Sequence, residues 1–264
     1  MPIAVTIAGS DSGGGAGIQA DLKTFSALGV YGASIITALT AQNTKGVTGI
    51  HDAPAEFITA QIDAVFSDLD VDAVKIGMVS RREAIVAIAA GLERWRQTKV
   101  VLDPVMVATS GDKLLAPDAV DALKRVLIPR ALVITPNLPE AAALLDAPIA
   151  RTETEMRAQG ERLLALGARA VLVKGGHAES AEAVDLLIEP TAFTRLVADR
   201  VATQNTHGTG CTLSSAIAAG LAKGQDLGAS VRAAKDYVTA ALAAAHRIKI
   251  GAGHGPVHHF HAWW

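Results

Sequence analysis

The alternation of short apolar runs with longer stretches of helical period is the feature that most constrains this chain. Runs rich in Val and Ile are separated by segments whose apolar residues recur every three or four positions, an order that favours parallel strands joined by crossover helices. On this basis the sequence predicts strands at residues 3–8, 33–39, 73–76, 100–102, 132–135 and 170–174. The chain is therefore predicted to be an α/β protein with a mostly parallel sheet.

The last third of the chain changes its pattern. Residues 184–201 form two extended runs around Glu189 and Pro190, which predicts an antiparallel hairpin at a sheet edge. Helices are predicted at residues 209–222 and 227–248, in addition to apolar helical faces within 58–69 and 85–95. No repeat or Pro/Ser-rich linker divides the 264 residues, so we expect a single domain, 1–264.

Charge and cysteine content exclude several classes of protein. Lys and Arg number 24 against 26 Asp and Glu, so the net charge of −2 gives no bulk attraction to nucleic acid or to an anionic membrane. The apolar first residues lack a preceding basic segment and soon meet Gly9, which predicts a strand rather than a signal peptide. Cys211 is the single cysteine, so no intrachain disulfide can form and a cytoplasmic location is expected.

A glycine-rich segment, residues 9–17, follows the first predicted strand and opens a helix that contains Asp21. Such glycines let a backbone approach a ligand closely and expose amide N–H groups. Their spacing is not that of a dinucleotide fingerprint, and residues 29–39 contain no acid to bind a ribose, which argues against an NAD-dependent oxidoreductase. A flexible turn before a helix remains the simple alternative.

A second segment, residues 205–212, lies where a new helix must begin. Small residues there leave unpaired amides pointing one way, and the helix dipole adds partial positive charge, which together predict an anion site. Cys211 lies in the first turn, where this field is expected to lower the thiol pKa and to favour a role as a base in phosphoryl transfer. Its alternative role is that of a small buried filler.

Polar residues also follow three later strands. Asp103 and Glu140 offer the hard oxygen ligands that Mg²⁺ prefers, although either could instead cap a local turn or helix. Lys174 is followed by Gly175, Gly176 and His177, a cation with a flexible backbone that suits phosphates and could also be a hairpin turn. No Gly-Lys dipeptide occurs, which excludes a Walker A loop.

In this order the segments resemble the ribokinase-like superfamily, and in detail its hydroxymethylpyrimidine/phosphomethylpyrimidine kinases. The resemblance spans nearly the whole chain and rests on residues 7–12, 14–21, 37–44, 75–78, 103–106, 135–137, 174–177, 205–211 and 253–260. It implies a three-layer α/β/α sandwich with a mostly parallel central sheet and antiparallel edge strands. It also implies ATP- and Mg²⁺-dependent phosphorylation of 4-amino-5-hydroxymethyl-2-methylpyrimidine and of its monophosphate.

The resemblance assigns roles to individual residues. The predicted catalytic group holds the transferring phosphate and supplies the base: Gly208, Thr209, Gly210 and Cys211. The predicted pyrimidine pocket consists of Gly9, Asp21, Gln42, Met78 and Val105. The predicted ATP contacts are Asn137, Lys174, Thr206 and His207, with Asp103 and Glu140 holding Mg²⁺ directly or through water.

Position 211 distinguishes the pyrimidine kinases from other members of the superfamily. Many sugar and vitamin kinases have an Asp there as the base, whereas this chain resembles the pyrimidine kinases in having Cys211. Thr40 stands where relatives often have an aliphatic residue. A pyridoxal or pyridoxine kinase is the alternative within the superfamily, and a catalytically silent vitamin sensor is the alternative outside enzymes. We expect a homodimer that binds small molecules, and a structural role for the histidines of the tail.

Overall fold

The computed structural model describes residues 1–106, 115, 117–176 and 182–264, and within them nine strands form one sheet. The strands are β1 (Ile3–Asp11), β2 (Tyr31–Asn43), β3 (Gly46–Asp52), β4 (Ala73–Ile76), β5 (Val100–Leu102), β6 (Val133–Ile134), β7 (Val171–Lys174), β8 (Glu182–Glu189) and β9 (Ala192–Asp199). Their spatial order is β3-β2-β1-β4-β5-β6-β7-β8-β9. The pairs β2–β3, β7–β8 and β8–β9 are antiparallel and the others are parallel, which confirms the predicted sheet.

The helices of the described segments are α1 (Gly17–Ala27), α2 (Ala55–Phe66), α3 (Arg82–Arg94), α4 (Pro117–Ala122), α5 (Leu138–Leu145), α6 (Glu153–Leu164), α7 (Thr209–Ala222) and α8 (Leu227–Ala243). The predicted bounds of α7 are confirmed. The last predicted helix ends earlier than expected, because α8 stops at Ala243 and is followed by a 3-10 turn, Ala245–Arg247. The apolar periodicity of the sequence did not predict β3, α4, α5 or α6.

Two apolar cores, one on each face of the sheet, make the protein three-layered. In β5, Val100 and Leu102 pack into one core while Val101 packs into the other, as the alternation of side chains along a strand requires. The first core contains residues of α2 and α3, such as Ile58 and Ile88. The second contains residues of α1, α7 and α8. The predicted α/β/α sandwich is therefore confirmed.

This topology brings together residues that are far apart in sequence. Strands β1, β4, β5, β6 and β7 are parallel, so their carboxyl ends lie along one edge of the sheet. In open α/β sheets this edge is where ligands bind. Among the described residues, none of the helices combines the length and the apolar character that crossing a bilayer requires.

Candidate active site

A cavity of about 710 Å³ opens at the carboxyl ends of the parallel strands. It is lined by every predicted site residue except Asp21: Gly9, Gln42, Met78, Asp103, Val105, Asn137, Glu140, Lys174, Thr206, His207, Gly208, Thr209, Gly210 and Cys211. His177, which belonged to the same predicted segment as Lys174, lies outside the described residues. The topology thus brings the predicted substrate, phosphate and metal groups to one place.

Two helices begin at this cavity. Gly208 caps the start of α7 in a left-handed conformation, with φ of +78°, which favours glycine. α1 begins at Gly17, another glycine of positive φ that lines the cavity. The first-turn amides of a helix lack intrahelical partners and carry partial positive charge, so the two helix starts together favour an anion.

The thiol of Cys211 lies in the first turn of α7, partly buried, and accepts a hydrogen bond from the backbone amide of Gly17. The helix field was expected to lower its pKa, and that expectation is wrong. Burial raises the pKa of the Cys211 thiol to about 11, and Asp21 and Asp103 add to this, while Lys75 opposes it. Loss of hydration therefore outweighs the helix field, and the thiol is protonated at neutral pH.

Two carboxylates share the ammonium group of Lys174. Its Nζ lies 2.8 Å from Asp103 Oδ1 and 3.9 Å from Glu140 Oε2. Burial opposes ionisation of Asp103, but Lys174 and Lys75 outweigh it and hold the pKa of Asp103 below its ordinary value. Burial raises the pKa of Glu140 to about 7 despite the nearby Lys174. The ammonium group of Lys174 therefore lies between two carboxyl groups, of which Asp103 is ionised and Glu140 titrates near pH 7.

A capping box fixes Glu140 at the start of α5. The backbone N–H of Asn137 donates to Glu140 Oε2, and the N–H of Glu140 donates to Asn137 Oδ1, each at 2.8 Å. This motif satisfies amides that would otherwise lack partners at the helix start. Asn137 therefore positions the acid of the cluster while it also lines the cavity.

Gln42 lies beside a small apolar group formed by Ala38, Met78, Val47 and Val105. Its side-chain Oε1 is 2.9 Å from the hydroxyl oxygen of Thr40, which also lies 3.0 Å from the Ser10 carbonyl. A Cβ at Gly9 would come within 2.8 Å of Met78 Cε, so a larger residue there would have to displace the end of the Met78 side chain. Thr40 thus orients Gln42, a polar role that an aliphatic residue at this position could not fill.

Asp21 does not line the cavity. Its carboxylate is fully buried and pairs with the fully buried Lys75 at 2.8 Å. The hydroxyls of Thr6 and Ser215 each donate to it at 2.6 Å. With these partners inside the protein, Asp21 fills a structural position, which differs from the substrate contact predicted for it.

His207 lines the cavity, but its ring is occupied. His207 Nε2 donates to Asp11 Oδ2 at 2.9 Å, because a carboxylate can only accept. Its backbone N–H donates to the Gly255 carbonyl at 3.0 Å. Because Nε2 is bonded to Asp11, it cannot make the contact with ATP that was predicted for His207.

Sequence reasoning missed a second polar group at the cavity. Asp185 Oδ1 accepts from the amide of Gly175, and Asp185 Oδ2 accepts from Lys235 Nζ at 2.6 Å. Val238 and Leu242 of α8 line the cavity near this pair. The signal available in the sequence was the acid within an otherwise apolar strand, since a buried charge needs a partner.

The tail histidines have structural contacts. His259 Nε2 lies 3.1 Å from Thr212 Oγ1, and burial lowers the pKa of His259 to about 3. Among the described residues, no three His, Cys, Asp or Glu side chains are grouped as a metal site would require.

Comparisons with known proteins agree with this geometry. The family model described as phosphomethylpyrimidine kinase matches residues 11–258. The hydroxymethylpyrimidine/phosphomethylpyrimidine kinase of Rhizobium meliloti is 65% identical over 262 residues, 99% of this chain and 98% of that protein. The protein of the same name from Escherichia coli is 54% identical over 99% of this chain and 98% of its own.

Solved structures give the same fold. Phosphomethylpyrimidine kinase from Clostridium difficile is 47% identical with a TM-score of 0.81, over 90% of this chain and 98% of its own. The ADP complex of Bacillus subtilis pyridoxal kinase is 37% identical with a TM-score of 0.91, over 98% of this chain and 97% of its own. The ribokinase-like resemblance predicted from the sequence is confirmed, and the chain belongs to the phosphomethylpyrimidine kinase family.

Proposed function

We propose that the protein uses ATP to phosphorylate 4-amino-5-hydroxymethyl-2-methylpyrimidine and then its monophosphate, giving the pyrimidine diphosphate used in thiamine biosynthesis. The observation that carries this proposal is a single cavity that joins Gln42, Cys211 and the helix start at Gly208. It thus combines a hydrogen-bonding ring contact, a proton acceptor and an anion site, which are the parts that transfer of phosphate to an alcohol needs.

The pyrimidine is proposed to lie between Gln42 and the apolar group around Met78. The Gln42 amide carries both a donor and an acceptor, which matches the alternating ring nitrogen and amino group of an aminopyrimidine edge. Met78 and Val105 supply apolar contact to the faces of the ring. The hydroxymethyl group is proposed to face Cys211, which lines the same cavity.

The triphosphate is proposed to lie at the starts of α1 and α7, with Lys174 as the cation. Two hydrogen bonds hold the end of β7 in place there: Lys174 Nζ donates to Asp103, and the backbone N–H of Gly175 donates to Asp185. Val238 and Leu242 offer an apolar surface for the adenine ring. The relatives include the ADP complex of Bacillus subtilis pyridoxal kinase, which supports a nucleotide at this fold's cavity.

The donor set also fits Mg²⁺. Asp103 and Glu140 are buried carboxylates that share one ammonium group, and hard oxygen ligands of this kind suit the ion. We propose that these two residues hold it directly or through water. When bound, the ion neutralises charge on the phosphate oxygens. Lys174 keeps Asp103 ionised for that role.

Cys211 is proposed to take the proton of the substrate hydroxyl. The O–H bond breaks and an S–H bond forms, while the substrate oxygen bonds to the γ-phosphorus and the bond from that phosphorus to ADP breaks. Because the thiol pKa is about 11, the base is the minor thiolate form. Because its pKa is high, the Cys211 thiolate, once formed, is a strong base for the proton of the substrate hydroxyl.

An ADP-release assay tests the assignment. The purified protein is supplied with ATP, Mg²⁺ and, in parallel, hydroxymethylpyrimidine, its monophosphate, pyridoxal or ribose. We expect the highest kcat/KM with the two pyrimidines. A kcat/KM for pyridoxal well above theirs would instead establish the second candidate, pyridoxal kinase, whose solved structures share this fold with a TM-score of 0.91.

We further propose that the enzyme is a single-domain chain that works in the cytoplasm as a homodimer. Size-exclusion chromatography with light scattering gives the mass of the assembly, for which two chains of 27.2 kDa are expected.

A further inference from the structure

Asp11, at the end of β1, is fully engaged by groups from two separate segments. Its Oδ1 accepts from the amide of Gly13 at 2.7 Å, and its Oδ2 accepts from the amides of Gly15 and Ala16 at 3.0 and 2.9 Å. The same Oδ2 accepts from His207 Nε2 at 2.9 Å. Asp11 is 3% exposed, and burial opposes its ionisation, but these donors hold its pKa below the ordinary value.

The two segments joined by this carboxylate pack backbone against backbone. A Cβ at Gly208 would collide with the Gly15 carbonyl, and a Cβ at Gly15 would collide with the ring of His207. The segment after Asp11 ends at Gly17, whose amide donates to the Cys211 thiol. We call residues 206–210, the proposed phosphate site at the start of α7, the phosphate-binding turn. The position of this turn and the position of the Cys211 thiol therefore both depend on how residues 11–17 pack against His207.

His207 is also held from its other side. Its N–H donates to the Gly255 carbonyl, and residues His207 and Pro256 form a parallel β-bridge. The backbone contact fixes the main chain, but only the ring reaches Asp11. The ring contact thus adds a side-chain hydrogen bond between His207 and the end of β1 to the backbone packing of Gly208 against Gly15.

We infer that Asp11 and His207 are a positioning pair: their hydrogen bond aligns the phosphate-binding turn and Cys211 with the substrate, and neither residue takes part in the proton transfer. This inference rests on the proposed function. Displacement of reacting groups by about 1 Å can cost about 100-fold in rate, so a pair that sets their separation acts on kcat.

Two substitutions of similar size separate donation from packing. His207→Gln keeps an N–H donor near the position of Nε2, whereas His207→Met fills the same space without one. We expect Met to lower kcat by about 10- to 100-fold, with KM for the pyrimidine within about threefold, and Gln to restore at least tenfold of that loss. Thermal unfolding of both variants measures the accompanying change in stability.

A matched control removes a bond of the same loop on its other side. Lys23 Nζ donates to the Gly14 carbonyl at 2.7 Å and lies outside the cavity. Lys23→Met should leave kcat unchanged. If His207→Met also keeps the parent kcat, or if Gln and Met lower it equally, the positioning pair is refuted.

The test separates this inference from the proposed function. If the parent does not turn over the pyrimidine, the assignment of substrate fails, and the same variants are compared by calorimetry for their affinity for a non-hydrolysable ATP analogue relative to ADP. The inference then requires that His207→Met, but not His207→Gln, lowers the ratio of the affinity for the ATP analogue to the affinity for ADP. Should the methionine variant not fold, Asp11→Asn replaces an accepting oxygen with an amide group. Its kcat must fall likewise, and an unchanged kcat refutes the inference.

Discussion

Cys211 combines two influences that the sequence alone could not rank. Its place at a helix start favours the thiolate, and its burial disfavours it. Burial wins because a helix start contributes about 0.3 to 2 kcal/mol, whereas desolvation of a buried ionisable group shifts a pKa by up to several units. The residue type and its position were predictable from the motif, but its pKa depends on neighbours from distant parts of the chain.

The pKa gives a direct prediction for thiol chemistry. Alkylation by iodoacetamide needs the thiolate, so its rate should rise about tenfold for each pH unit from 7 and level off only near the thiol pKa of about 11. The reaction is followed by mass spectrometry, and Cys211 is the single cysteine, so Cys211→Ser provides an unlabelled control. A rate that levels off below pH 9 would contradict the raised pKa.

The role of the thiol in catalysis has its own prediction. Cys211→Ala should lower kcat by about 10² to 10⁴, the usual contribution of a positioned base, while ATP affinity and the fold are kept. Cys211→Asp should restore part of the rate, because it supplies a carboxylate base at the same position. If the alanine variant turns over within a few-fold of the parent, catalysis depends on positioning and the anion site instead.

At the scale of elements, four of them meet at one buried ion pair. Thr6 of β1, Asp21 of α1, Lys75 of β4 and Ser215 of α7 contribute to the pair or its hydrogen bonds. Burial opposes the charge of Lys75, but Asp21, with smaller contributions from Cys211 and Asp103, outweighs it and raises the lysine pKa. The pair therefore fixes two helices that begin at the cavity to the sheet beneath it.

Breaking this pair from one side should be costly. Lys75→Met leaves the Asp21 charge buried without its cation, which is expected to lower the free energy of unfolding by about 3 to 5 kcal/mol. The double variant Lys75→Met, Asp21→Asn removes both charges and should recover much of that loss. Urea unfolding measures both, and a single variant within about 1 kcal/mol of the parent would show that the pair is not a structural anchor.

The elements that sequence reasoning found and missed differ in their patterns. Strands β4 and β5 were predicted with the right bounds, because strands buried on both faces are continuous apolar runs. Strand β3 has no fully buried residue, and its large apolar residues are Val47 and Ile50 alone. Its sequence therefore resembles that of a loop. Helix α6 is polar along most of its length, although its capping box at Thr152 and Glu155 was a usable signal.

The site was predictable as a set of motifs but not as a set of contacts. The strand ends and the glycine turn indicated the cavity, since the topology of parallel strands brings such segments together. The place of Asp21 was not predictable, because its partner Lys75 is 54 residues away in the chain. Asp11 was passed over for the same reason, as its bond to His207 spans 196 residues.

At the scale of the whole molecule, ligand binding should be visible as added stability. A ligand present at 100 times its Kd stabilises the folded state by about 2.7 kcal/mol, which for a chain of this size raises Tm by about 5 to 10 °C. We expect this rise with an ATP analogue and Mg²⁺ in the parent. Asp103→Asn should lose most of it.

Asp70→Asn is a suitable control, because Asp70 is exposed and lies outside the cavity. Differential scanning calorimetry at fixed ligand concentration gives the comparison. An equal rise in Tm for Asp103→Asn and Asp70→Asn would contradict the proposed role of Asp103 in binding the metal and the nucleotide.

The bridge between His207 and Pro256 has a consequence for synthesis of the chain. Residues 9–17 leave the ribosome first, and Pro256 follows after about 240 more residues. At about 5 to 20 residues per second, this interval lasts roughly 12 to 48 seconds. During most of this interval residues 9–17 lack the turn at 206–210, and until its end that turn lacks its bridge to Pro256. Activity should therefore appear only after Pro256 has been synthesised, so that a ribosome stalled before residue 256 carries a chain that has the strands of its sheet and lacks kinase activity.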